Sequence, residues 1–159
     1  LKALFTFIVT APENWKVVSN QPTPEPVSLG RSKAKWHFAP TPKISSYITA
    51  LVAGPYVETR SQLTSSDGRT IPLGVYCRAS LAPFMDADYI FDKTREGFTF
   101  FEKQFDVPYP FEKYDQVIVP EFNAGAMEHA TNIAYPLFAV DGTNTYQTLY
   151  DSCQSLDYQ

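Results

Sequence analysis

Part way along this chain the spacing of apolar residues changes from a period of two to steps of three and four, and that change restricts the fold to a β-rich α+β architecture. In the first half, short apolar runs are punctuated by turn residues, the pattern of a β-sandwich. Leu4-Phe5-Thr6-Phe7-Ile8-Val9 carries apolar side chains on both alternating faces, which predicts a strand covered on both sides. Trp15 to Val18 reads as a strand after a turn at Pro12, and Pro22-Thr23-Pro24-Glu25-Pro26 as a stiff loop. Lys33-Ala34-Lys35-Trp36-His37-Phe38 alternates, with Ser46 to Val52 as its expected partner; His37 falls opposite Trp36 and Phe38, a surface position. Gly54-Pro55 turns the chain into Tyr56-Val57-Glu58, Ser61 to Gly68 is a polar turn region, and Ile71 to Tyr76 leads out of it. A domain boundary is expected near Leu73, dividing residues 1–73 from 74–159.

Beyond it, Asp86 can cap a helix in which Ala87, Ile90, Thr94, Phe98, Phe101 and Phe105 form one apolar stripe, read here as core packing. Asp88, Asp92, Lys93, Glu96, Glu102 and Lys103 occupy the other face. Pro108 and Pro110 end the helix, Gln116 to Val119 has the β-branched richness of a strand, and Ile133-Ala134-Tyr135 reads as the next one. Asp141-Gly142 and Asn144 form a turn, and Tyr146 to Tyr158 begins a second helix with Leu149, Cys153 and Leu156 on one side.

Bulk properties exclude several classes. Hydrophobic residues at 44% and aromatics at 15% are too many for a disordered chain, and a net charge of -4 with no basic cluster argues against nucleic acid. No apolar stretch approaches the roughly 18 residues that span a bilayer, and the first residues lack the pattern of a signal peptide. A soluble cytosolic or secreted protein fits. The chain starts at Leu1 and enters a strand at once, which reads as a cut piece whose targeting signals lie upstream. Cys77 and Cys153 are too few for a disulfide framework or a structural zinc site, so free thiols are expected.

The chemistry concentrates in Pro120-Glu121-Phe122-Asn123-Ala124-Gly125-Ala126-Met127-Glu128-His129. Pro120 cannot donate to a sheet ladder, so regular pairing weakens there. Asn123 to Ala126 carry little bulk, so another backbone can approach, with Glu128 as the charged reader. A bulged core strand ending in a solvated acid would carry the same letters.

Gly125-Ala126-Met127-Glu128 after Val119-Pro120-Glu121-Phe122 resembles the GAMEN exopeptidase motif of the aminopeptidase N family of zinc metallopeptidases. Val9 to Trp15, Trp36 to Pro42 and Pro108-Tyr109-Pro110-Phe111 look like segments of that family in the same order, so the resemblance runs from about Leu4 to Tyr135. It implies the end of an amino-terminal β-sandwich domain over residues 1–73 and the first part of a thermolysin-like catalytic domain over 74–159. It further implies a substrate-binding set of Gly125, Ala126, Met127, Glu128 and His129, in which Glu128 binds the amino terminus of a peptide and Gly125-Ala126 pairs with its main chain. His129 stands where the family usually has Asn, so a role in shaping the first specificity pocket and a purely structural one both stay open.

The family's zinc is held by an HExxH helix and a later glutamate. Neither occurs here, since His37 and His129 are the only histidines, and the resemblance places the zinc helix beyond Gln159. No catalytic or metal residue is therefore expected within this chain, and zinc only in the longer parent. Two alternatives remain at this stage: a non-catalytic peptide-binding scaffold, and a leukotriene hydrolase-like bifunctional enzyme, whose GGMEN form Ala126 and His129 do not match.

Overall fold

The computed structural model describes residues 1–119, 126–129 and 131–136, with residue 128 and residues 132–136 as backbone only. Among the described residues, twelve strands and one long helix follow in chain order: β1 (Lys2–Ala3), β2 (Ile8–Pro12), β3 (Lys16–Ser19), β4 (Val27–Gly30), β5 (Lys33–His37), β6 (Ile44–Ser45), β7 (Leu51–Gly54), β8 (Tyr56–Thr64), β9 (Thr70–Arg78), α1 (Ala87–Phe105), β10 (Tyr114–Val119), β11 (Met127–His129) and β12 (Asn132–Pro136). A 3₁₀ turn spans Ser46–Ile48. The β-rich α+β expectation agrees with this architecture.

The first half makes three small antiparallel sheets, β1 with β6, β2-β5-β4 and β3 with β7. β5 alternates as its sequence demands: Ala34 and Trp36 are buried, while Lys33, Lys35 and His37 are exposed. Trp36 joins Ala11, Val17, Ala34 and Phe38 in a core of its own. Two expectations are corrected here. β5 does not pair with residues 46–52; both its edges are taken by β2 and β4, residues 46–48 coil into the 3₁₀ turn, and β7 pairs with β3 instead. Nor does the first long strand begin at Leu4. Phe5 and Phe7 bond to Thr41 and Phe38 across a segment broken by Pro40, so the regular ladder starts only at Ile8. Leu4 at 66% and Ile8 at 61% exposure show that one face of this segment is open.

The described residues of the second half make a five-stranded sheet in the order β11-β12-β10-β9-β8. β9, β10 and β12 run parallel, while β8 and β11 are antiparallel edges. A parallel pair needs a crossover, and α1 supplies it between β9 and β10. β8 runs on to Thr64, so the polar turn predicted over 61–68 contracts to the residues between Thr64 and Thr70; Leu63, buried inside that span, keeps the strand going. The boundary expected near Leu73 falls within β9.

α1 starts where the sequence says, with the Asp86 carboxylate accepting from the Tyr89 amide at 3.1 Å, and ends at Asp106 in the left-handed region, before Pro108. Ile90 and Phe91 pack on Leu63, Ile71, Leu73 and Val75, with Ala87 and Phe98 half-buried beside them. The predicted stripe holds only through Phe98. Phe101 and Phe105 are 39% and 68% exposed and stack on each other at 6.0 Å instead of entering the core. Phe91, one step off the stripe, is buried because the sheet beneath is wide enough to cover two ridges of the helix. A third cluster, Val18, Tyr76 and Val117 with Val52, Tyr56 and Val119 around it, joins the opposite face of the sheet to β3 and β7.

Cys77 is buried and forms no disulfide; Cys153, the turn at Asp141-Gly142 and the helix expected over 146–158 lie outside the described residues.

Candidate functional site: an edge strand beside the 3₁₀ turn

Of the five residues singled out from the sequence, Met127, Glu128 and His129 form β11, Ala126 immediately precedes it, and Gly125 lies outside the described residues. Ala126, Met127 and His129 are half-buried. β11 pairs antiparallel with β12 in the register Met127↔Ala134, Glu128↔Ile133 and His129↔Asn132. It is the outermost strand of its sheet, so among the described residues no strand lies on its other side. The segment read from sequence as an open loop is thus, over 127–129, a short edge strand.

The return from β11 to β12 is fixed from two directions. Thr131 adopts φ 73°, a left-handed conformation that a β-branched residue rarely accepts, and it is buried. Its carbonyl accepts from the Asp115 amide at 2.9 Å, and its hydroxyl donates to the Asn20 carbonyl at 2.6 Å. Asn20, just after β3, is buried in turn: its side-chain amide donates to the Ile48 carbonyl at 3.0 Å and accepts from the Ala50 amide at 2.9 Å. Ser19 adds a hydroxyl bond to the Ala50 carbonyl at 2.8 Å. These bonds hold the 3₁₀ turn Ser46–Ile48 in place, and that turn lies against β11.

Further along the sheet, on the face that meets β3, a group of charges is gathered. Asp115 on β10 is buried with Lys113, which it pairs, and Arg60 on β8 reaches the same carboxylate at 3.4 Å. Arg60 also pairs Glu58, which binds Lys16 of β3 at 2.8 Å and accepts the Tyr76 hydroxyl at 2.8 Å. Burial lowers the Lys113 ammonium below its ordinary range although Asp115 opposes the shift. Burial works the other way on Glu58, but hydrogen bonds from Lys16 and Tyr76 and the Arg60 charge outweigh it and leave the carboxyl below its usual range. Burial and the Asp115 charge push the Tyr76 hydroxyl up, so it stays protonated as a donor. Lys16, Glu58, Arg60 and Tyr76 of this group line a cavity of about 340 Å³ together with Trp15 and Trp36. Each of these charges meets an opposite one, so the cluster ties β3 to the sheet.

Sequence reasoning missed both features. An acid at 115 inside Tyr-Asp-Gln-Val-Ile-Val was a readable sign of a buried charge pair. Thr131 gave no sign, since residues that adopt positive φ are ordinarily Gly, Asn or Asp. His37 sits exposed on β5, in a different sheet from β11. Among the described residues no three His, Cys, Asp or Glu side chains converge where a cation could sit. No described helix is long and apolar enough to cross a membrane.

Compared with known proteins, residues 89–153 match the family model of the Peptidase family M1 domain. The chain is 58% identical over 130 residues to Aminopeptidase N of Streptomyces lividans, an overlap of 82% of this chain and 14% of that protein. It is 33% identical over 135 residues to Aminopeptidase N of Acetobacter pasteurianus, covering 84% of this chain and 36% of the relative. With human Aminopeptidase N the identity is 30% over 138 residues, 85% of this chain and 14% of the relative. The chain therefore spans a minor part of the length of each of these relatives. With a family match that begins inside α1 and relatives this similar over more than four fifths of its sequence, the chain belongs to the aminopeptidase N family.

Proposed function

We propose that this chain is part of a zinc metallo-aminopeptidase that removes amino-terminal residues from peptides, and that it supplies the segment reading the substrate's free amino terminus. The observation that carries the reading is that Met127–His129 forms, among the described residues, the edge strand of a sheet. An extended peptide can add to such an edge through main-chain hydrogen bonds, while alternate side chains are read beside it. Gly125 and Ala126 keep the approach free of bulk, Met127 and His129 border the first subsite, and the Glu128 carboxylate meets the α-ammonium group. That last contact is the one an endopeptidase does not need, because its substrates present no charge at a fixed distance from the cut bond. The relatives' common name supports the activity.

Zinc belongs to this reading through the family resemblance, but the described residues do not offer a donor set that fits it. No hydrolytic step is assigned to them; their contribution is recognition. We also propose two units, the end of a β-sandwich followed by the opening of a thermolysin-like catalytic domain, with the junction drawn back from Leu73 to the Gly54-Pro55 turn. Support for moving it comes from the continuous pairing of β8 with β9, from Tyr56↔Arg78 to Thr64↔Thr70.

The test is a pair of peptides that differ only in acetylation of the amino terminus, offered to the full-length protein. Stepwise release of residues from the free peptide alone is expected. Equal cleavage of the acetylated peptide would contradict recognition of the terminus.

A further inference from the structure

Thr131 combines three properties that seldom coincide: it is β-branched, it holds φ 73°, and it is 4% exposed. Backbone strain of this kind persists only where the surroundings over-determine it, and it gathers at sites where position matters. The carbonyl and the hydroxyl of Thr131 are engaged by different layers of the molecule. The carbonyl takes the Asp115 amide of β10, and the hydroxyl gives its proton to the Asn20 carbonyl beyond β3. Asn20 in turn fixes the 3₁₀ turn Ser46–Ile48 that lies against β11. One residue thus sets the height of the edge strand relative to its sheet and relative to the neighbouring turn.

We propose that Thr131 is a positioning residue for amino-terminus recognition, its hydroxyl latching the β11 return to Asn20 so that Met127–His129 is held ready for a peptide. The proposal rests on the aminopeptidase reading for its kinetic consequence, though not for the latch itself. On the proposed reading this segment contributes recognition and not hydrolysis, so a misplaced edge strand weakens the capture of substrate more than the bond-breaking step. Loss of the hydroxyl therefore shows mainly in KM.

Three variants of the full-length protein separate this from a merely structural role. Thr131→Ser keeps the hydroxyl, Thr131→Val keeps the shape without it, and Thr131→Gly removes both the hydroxyl and the strain at positive φ. With alanyl-p-nitroanilide, KM is expected to rise about five- to tenfold in Thr131→Val and Thr131→Gly, with kcat within about twofold and Thr131→Ser close to wild type. Thr131→Gly is expected to unfold at no lower temperature than wild type, so its raised KM cannot be put down to lost stability. Hydrogen exchange at the Met127–His129 amides should quicken in the Val and Gly variants alone. Unchanged KM in Thr131→Gly in an active enzyme, or unchanged exchange in both variants, would overturn the proposal. If the wild-type protein fails to hydrolyse the anilide, the aminopeptidase reading falls, while the exchange measurement still decides the latch.

Discussion

The Arg60 guanidinium on β8 lies 3.4 Å from the Asp115 carboxylate on β10, reaching over the strand between them because that strand carries Gly74 at the crossing. Arg60 and Asp115 both stand opposite Gly74 in register, so any side chain there would occupy the space the ion pair uses. A Cβ on Gly74 would collide with the Asp115 carboxylate and come within 2.9 Å of the Tyr76 ring and 3.2 Å of Arg60 Nη1.

Gly74→Ala should therefore destabilise the protein by about 2 kcal/mol, since neither a buried carboxylate held by Lys113 nor a packed tyrosine can retreat freely. Urea unfolding midpoints compare the two proteins. A midpoint equal to wild type would mean that the glycine is not what lets the pair cross the strand.

Glu58 should make stability depend on pH in a defined direction. Its carboxyl is depressed in the folded chain, so its contribution is complete above the ordinary value of 4.5 and is lost as the pH falls through the lower folded value. Glu58→Gln is thus expected to be less stable than wild type at about pH 7, with the difference shrinking by about pH 3. A difference of the same size at both pH values would count against the charge pairs with Lys16 and Arg60.

The helix offers a test of where its core face ends. Phe91→Ala should cost about 3–5 kcal/mol because the ring is 2% exposed against Leu63, Ile71 and Val75. Phe105→Ala should cost under about 1 kcal/mol, its ring being largely in solvent. Similar losses at both positions would restore the longer stripe that periodicity alone suggests.

What the sequence made legible was local. The Asp86 cap, the start of α1, the alternation around Trp36 and the strand at Val117 follow from rules that act within a few residues. Strand partners were not legible, because Lys33–His37 carries no mark that tells β2 and β4 from residues 46–52; that choice is made by long-range packing of Trp36 and Phe38. The candidate site divides the same way. Met127 to His129 could be found from their letters and a family likeness, whereas their place on a sheet edge, the Thr131 turn and the ion pair over Gly74 exist only once distant strands meet.

The central claim is that Glu128 reads the charge of a substrate's amino terminus, and the replacement Glu128→Gln in the full-length protein isolates that charge while keeping the shape. Removing one side of a partly desolvated ion pair should lower kcat/KM for an aminoacyl p-nitroanilide by roughly thirtyfold, near 2 kcal/mol of transition-state binding. Wild-type kcat/KM in the Glu128→Gln protein would contradict the account.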